Sequence, residues 1–600
     1  MTHSRSLASF IPKKVFDYWH TTEEGAGIIS NGETFMNVGR VGTEIWKLVN
    51  GKNNIQEIAE HIAYQFNQNI QVVESDIGKF FSDIAESKMV VLDSGPLYKL
   101  GKANKNVKLN WRDSYLTNTT GAVDILLLVP PSPHLETNIV SRIYNASCLG
   151  VGYLYSLVQA NFNLKIGMLD LWSAIFTEQD LDEILAELSP RILALSSMTE
   201  NAQNGYRIAE KYKKSTSGRG TVVMGGSHVT FRYEDALSHG HVDYCFLGES
   251  EKSFCKFISH HFSNDSEDHY EEVPGIAYLR NGRLIITERA ETEELEHLPY
   301  PQLFPRHVHD KGIIPIMTSR GCPFGCKFCA AGELSGNRYR FRSIDSVIAE
   351  MVYQSNIYAV SQFHFLDDTI SVIPRRLTEF CEKVRLAPIN NCRWVAESRV
   401  DILAAHPELA LRMKEAGCFG VQVGIEGGTD EKLLEINKKT TLEAIRRAIE
   451  NCVKVDLKVT GSMVIGLPGE TKESCLATLR FASMLQRDYG ISIYVGWFVP
   501  FPGTIYDREL DEMGCTRRYG HDFDQYSTLS PNIFSPGDHL EDMLNMFHQN
   551  FSGMNKSIES AKKAMASLKL DFLKPLEYFK FNGVAFDPII SSSSAPSSQE

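Results

Sequence analysis

The chain has 600 residues, 43% of them hydrophobic, and a formal net charge of -13, which suits about four domains with several buried cores and argues against a nucleic-acid partner, which needs a basic face. No uninterrupted apolar run reaches the roughly 18 residues of a spanning helix, and Met1 to Lys14 lack the apolar core of a signal peptide, so a cytoplasmic location without a membrane partner is expected. Twelve cysteines are too few for a disulfide scaffold in a chain this long.

Residues 1–100 read as a small winged-helix-like unit. An extended start at Thr34 to Val38 leads to helices at Val41 to Val49, Ile55 to Phe66 and Glu74 to Lys88, with a turn at Asn50-Gly51; Ile45, Trp46, Ile55, Ile58, Ile62, Ile77, Phe81 and Ile84 recur at helical spacing. Acidic residues outnumber basic ones here, which disfavours phosphate binding. The run Phe35-Met-Asn-Val-Gly-Arg-Val-Gly-Thr-Glu-Ile-Trp, followed by Leu48-Val-Asn-Gly-Lys and Ile55-Gln-Glu-Ile-Ala, resembles the PqqD-like peptide-recognition domain (RRE) of enzymes that modify ribosomally made peptides. The resemblance implies a precursor leader as partner, added as a strand to a sheet edge. A helical packing domain without ligand is the bland alternative.

From Val123, short apolar strands alternate with amphipathic helices: Asp124 to Val129, Leu164 to Leu169, Ile192 to Ser196, Thr221 to Met224 and Tyr244 to Leu247. This predicts a Rossmann-like doubly wound sheet over 120–265, with ligands at the carboxyl ends of the strands. Those ends carry Ser196, Ser197, Gly225, Gly226, His228, Gly248 and Glu249. Small residues there let a flat ligand approach the backbone. The arrangement resembles the cobalamin-binding domain that precedes many radical enzymes, and the resemblance implies that these residues contact cobalamin. The loop Asp170-Leu-Trp-Ser-Ala-Ile lacks the Asp-x-His-x-x-Gly that supplies a lower axial histidine; His228 suits packing or hydrogen bonding better than ligation. A nucleotide-binding sheet is the alternative.

A linker over 266–309, with a hairpin at Asn281-Gly282, precedes a second alternating region at 310–510. Its strands, Ile314 to Thr318, Gln362 to Leu366, Arg393 to Ala396, Gly420 to Ile425, Lys458 to Ile465 and Ile491 to Phe498, predict a partial (β/α)6 barrel with its chemistry at the strand carboxyl ends. Just past the first strand stands Gly-Cys322-Pro-Phe-Gly-Cys326-Lys-Phe-Cys329. Three thiolates on one loop can hold a cubane cluster and leave one iron open; a structural zinc site needs a closing fourth ligand and paired spacing. The spacing, with Phe328 before the last cysteine, resembles the radical S-adenosylmethionine superfamily. That resemblance implies a [4Fe-4S] cluster on Cys322, Cys326 and Cys329, with S-adenosyl-L-methionine on its free iron. It also implies cosubstrate contacts from Asp367 and Asp368 after the second strand, Glu397 and Arg399 after the third, Glu426 and Gly427 after the fourth, and Gly466 after the fifth. The segment Val499-Pro-Phe-Pro-Gly-Thr is shared by cobalamin-dependent members.

Residues 511–590 read as a helical cap, with a methionine stripe over Leu540 to Leu570, and 591–600 as a disordered tail. Together the chain is identified as a member of the cobalamin-dependent (class B) radical S-adenosylmethionine methyltransferases with an added peptide-recognition domain. The family implies methyl transfer from methylcobalamin to an unactivated carbon of a precursor peptide, and an external electron donor such as flavodoxin or ferredoxin. Cyclisation, epimerisation or rearrangement, methylation of a free small molecule, and cobalamin sensing remain as alternatives.

Overall fold

The structure, a computed structural model, describes residues 11–14, 18–21, 27–30, 35–49, 53–66, 68–86, 90–93, 115–131, 148–172, 178–263, 269–289, 294–305, 307–308, 312–520, 526, 528 and 532–535. The expected turn at Asn50-Gly51, the Leu540 to Leu570 helices and the tail lie outside them.

The N-terminal unit packs the helices Gly39–Leu48, Ile55–Phe66 and Ile70–Glu86 around Trp46, Ile58 and Phe81, each fully buried. Asn54 and Glu57 start the second helix reciprocally, each side chain accepting from the other's backbone N–H at 2.8 Å, a capping box. The sequence reading missed most of its strands. Tyr18–Thr21, Gly27–Ser30 and Phe35–Val38 form an antiparallel sheet in that order, and Ile11–Lys14 pairs with Val90–Asp93. Strands of four residues carry too little alternation to be recognised.

The doubly wound sheet forms as expected. Five parallel strands run in the order Tyr244–Phe246, Thr221–Gly225, Ile192–Ser196, Ile125–Val129, Ile166–Asp170. Ile125–Val129 and Ile166–Asp170 are buried at every position, as strands covered on both faces must be. The segment read as a linker instead contributes the hairpin Ile276–Arg280 and Arg283–Ile286, which extends this sheet antiparallel. Asn281 and Gly282, both at positive φ, make the tight turn that a two-residue hairpin requires.

The barrel has six parallel strands in sequence order: Ile314–Ile316, Gln362–Phe365, Arg393–Ser398, Cys418–Glu426, Lys458–Ile465 and Ser492–Trp497. Thr429, Thr441, Thr471 and Thr504 cap the helices that follow these strands. A single core lies between strands and helices, and Leu149 and Tyr153 of the helix Leu149–Asn161 join it from the neighbouring domain. On its other face that helix sends Val151, Tyr155 and Val158 into the core of its own sheet. That helix is therefore shared between the cores of the two domains. No helix among the described residues is long and apolar enough to cross a membrane.

Candidate active site

The three cysteines occupy one loop at the carboxyl end of the first barrel strand, closed at its base by a two-residue ladder of Ser319–Arg320 with Arg340–Phe341. Neighbouring elements brace it. Asn437 Nδ2 donates to Gly325 O at 2.6 Å and Lys327 N to Ile436 O at 3.1 Å. Tyr506 N donates to Lys327 O at 3.1 Å, and the Arg399 guanidinium stacks 3.7 Å from the Phe324 ring centroid. Phe328 packs, half-buried, on the barrel core.

Desolvation raises the Cys322 thiol and pushes Cys329 up to about 12, although Cys329 is exposed by its own surface; protein surrounds its sulfur at longer range. A metal bound by such thiols must displace their protons. Three cysteines on one braced loop fit a cluster that keeps one iron open.

Beside the loop gather Asp367, Asp368, Glu397 and Glu426. Asp367, 2% exposed, is consumed internally: it accepts from Thr318 N at 3.0 Å, Thr318 Oγ1 at 2.7 Å and Ser319 Oγ. Both of its carboxylate oxygens anchor the start of the cysteine loop, in place of the expected cosubstrate contact. Asp368 is the exposed member of the pair; desolvation and then Asp367 raise its carboxyl. Glu397, desolvated and flanked by Asp368 and Glu426, rises to about 7. Arg399 is likewise spoken for, paired with Asp401 at 2.9 Å and donating to Lys438 O at 2.8 Å; it braces the loop and does not face outward.

Glu426 sits at φ +65, an unusual conformation for a side-chain-bearing residue that points to a functional constraint. A register shift between Gly424 and Glu426 turns the strand end there, and Glu426 Oε1 accepts from the buried Lys438 Nζ at 3.0 Å. Burial works against the Lys438 ammonium, but Glu426 and Cys326 hold it above its ordinary range. Gly427 lies against the Lys432 side chain, and Gly466, at φ +73, against the Trp497 ring. Asn437 and Lys438 escaped the sequence reading, because nothing in the run Ile436-Asn-Lys-Lys shows that it folds onto the cysteine loop.

At the sheet's carboxyl end, Ser197 N donates to Gly225 O at 2.9 Å. Gly226, at φ +104, crosses so close that a Cβ would lie 2.2 Å from Ser197 O. Ser196 is half-buried, its Oγ 3.8 Å from Cys148 Sγ, and Gly248 N donates to Thr230 Oγ1 at 2.9 Å. Two of the expected cobalamin contacts turn to internal partners instead. His228 is fully buried, its ring nitrogens 3.3 Å from Thr199 Oγ1 and 3.0 Å from Tyr206 OH, and desolvation pushes it down to about 3; it is a neutral packing residue. Glu249 turns toward the barrel and pairs with Arg320 at 2.8 Å and with Arg340.

Comparison with known proteins adds three family matches: the radical SAM superfamily over 316–482, the B12 binding domain over 139–258, and coenzyme PQQ synthesis protein D (PqqD) over 27–90. An uncharacterized methyltransferase of Pyrococcus horikoshii is 30% identical over 387 residues, covering 63% of this chain and 81% of the relative. The anaerobic magnesium-protoporphyrin IX monomethyl ester cyclase of Cereibacter sphaeroides is 24% identical over 418 residues, 66% of each chain. Among solved structures, the radical S-adenosylmethionine methyltransferase TsrM from Kitasatospora setae, with tryptophan and a SAM analogue bound, shares the fold at a TM-score of 0.53 and 18% identity, over 66% of this chain and 78% of that one.

Proposed function

The chain belongs to the cobalamin-dependent radical S-adenosylmethionine methyltransferases, and from that premise we propose that it places a methyl group on an unactivated carbon of a ribosomally synthesised precursor peptide in natural-product biosynthesis. The observation that carries the peptide reading is the PqqD-type module in the same chain as the two cofactor-binding modules. Tyr18–Thr21 and Phe35–Val38 are the outer strands of its small sheet. A leader strand added at such an edge gains main-chain hydrogen bonds for affinity and alternate side-chain contacts for specificity.

When bound, the [4Fe-4S] cluster supplies the electron that cleaves S-adenosylmethionine, and cobalamin carries the methyl group. Cys322, Cys326 and Cys329 would hold the cluster. Asp368 and Glu397 would take the cosubstrate ammonium, Glu426 and Gly427 its ribose hydroxyls, and Gly466 would lie by its adenine. Ser196, Ser197, Gly225, Gly226 and Gly248 floor the cobalamin site, where small side chains and exposed backbone suit a flat macrocycle. Asp367 and Arg399 keep the cysteine loop in place behind these contacts. An external donor such as flavodoxin or ferredoxin would supply the electron.

The cyclase relative favours one second reading, in which the radical rearranges or cyclises the substrate without methylation. Anaerobically reconstituted protein, given cobalamin, S-adenosylmethionine and a candidate precursor, separates the two by mass spectrometry. Methyl transfer yields a peptide heavier by one methyl group, with 5′-deoxyadenosine and S-adenosylhomocysteine together. Deoxyadenosine without S-adenosylhomocysteine, and no added methyl, supports the second reading and ends the first.

A further inference from the structure

We propose that Glu249 is a positioning residue for the iron–sulfur cluster: from the end of the last parallel strand of the cobalamin-binding domain, its carboxylate neutralises the arginine pair that closes the base of the cysteine loop. The loop then reaches its working shape only with that domain seated. The proposal rests on the cluster and cobalamin assignments and not on the peptide substrate.

In the ladder at the base of the loop, Arg320 lies directly opposite Arg340. Like charges facing each other across a ladder repel, and two residue pairs are little to resist them. Glu249 stands between the two, accepting from Arg320 Nη1 at 2.8 Å and from Arg340 Nη2. Arg320 sends its Nη2 to Glu251 at 2.7 Å and lies 5.2 Å over the Tyr153 ring. Glu249, Glu251 and Tyr153 all come from the cobalamin-binding domain, whereas both arginines belong to the barrel. The group is shielded, with side-chain exposures of 12% for Arg320, 15% for Glu249 and 9% for Glu251, so an uncompensated charge there is costly. Arg320 stands two residues before Cys322. Net charge around a cluster is one of the quantities that set its reduction potential.

The test uses the full-length protein reconstituted with iron and sulfide, without peptide. It measures iron retention against a chelator and the cluster midpoint potential by spectroscopic titration, in wild type, E249Q, E249D, R340Q and R232Q. R232Q cuts a separate contact between the domains, Arg232 to Asp507 at 2.8 Å, and leaves Glu249 intact. E249Q is expected to shift the midpoint positive and to lose iron at least threefold faster, while E249D restores most of both. R340Q, which removes a cation, shifts the midpoint negative, and R232Q leaves it at the wild-type value. The proposal falls if the E249Q midpoint is unmoved or moves negative, or if R232Q shifts it as far. Should E249Q not fold, an unmoved R340Q midpoint overturns the proposal by itself. A wild type that binds no cluster overturns the cluster assignment instead.

Discussion

Glu397 is where single-residue electrostatics are most exposed to experiment. Its carboxyl rises from 4.5 to about 7 because it is desolvated beside Asp368 and Glu426. A folded-state value above the unfolded one means that the native protein binds the extra proton between those limits, so stability falls as pH climbs from about 4.5 to about 7 and is level beyond. The upper bound on that loss is about 3 kcal/mol, trimmed by the partial exposure of the group. E397Q in the metal-free protein should therefore unfold at a higher temperature than wild type at pH 8, with the gap closing near pH 4.5; an equal gap at both values contradicts the assignment. If the cosubstrate ammonium sits against this carboxylate, wild-type affinity for S-adenosylmethionine tightens as pH rises toward 7 and that dependence disappears in E397Q.

Elements, not residues, decide how the cysteine loop is held. Thr318 and Ser319 follow the first barrel strand and Asp367 follows the second, and Arg376 of the helix Pro374–Val384 donates to Thr318 Oγ1 at 3.0 Å and to Thr318 O at 3.1 Å. Asp367 and Arg376 thus tie the second strand's end and a helix to the root of the loop. In D367N an amide N–H replaces one of the two acceptor oxygens, facing either the Thr318 backbone N–H or the two hydroxyl donors, at a cost of about 2 kcal/mol. The expected result is a lowered iron content after reconstitution, with the KM for S-adenosylmethionine of the remaining active fraction within twofold of wild type. A KM raised tenfold at full iron content would return Asp367 to the cosubstrate.

Across the whole molecule, the seam between the doubly wound domain and the barrel is built from several kinds of contact. Asp507 pairs with Arg232 of the doubly wound domain and with Arg517, each at 2.8 Å. Four residues earlier, Gly503 at φ +87 lies so close to the Phe231 ring that a Cβ would sit 2.6 Å from its carbons. Alanine there adds backbone strain of about 1–3 kcal/mol and pushes Phe231 away. G503A is expected to split thermal unfolding into two steps, as the domains lose their mutual support. A single transition at the wild-type temperature would show that this part of the seam carries no stability.

The two alternating-pattern domains and the cysteine loop were legible in the sequence, because periodicity and a short ligand motif are local properties of the chain. The three-strand sheet of the N-terminal unit was not, since strands of four residues gain their stability from partners far along the chain. The roles of individual polar residues were decided only by folding. Asp367, Arg399, His228 and Glu249 sit at strand ends as expected, yet each is turned to an internal partner. Lys438 and Asn437 meet the cysteine loop from more than a hundred residues away. A buried polar group takes whichever partner the packing brings within hydrogen-bond reach, and that choice is made in three dimensions.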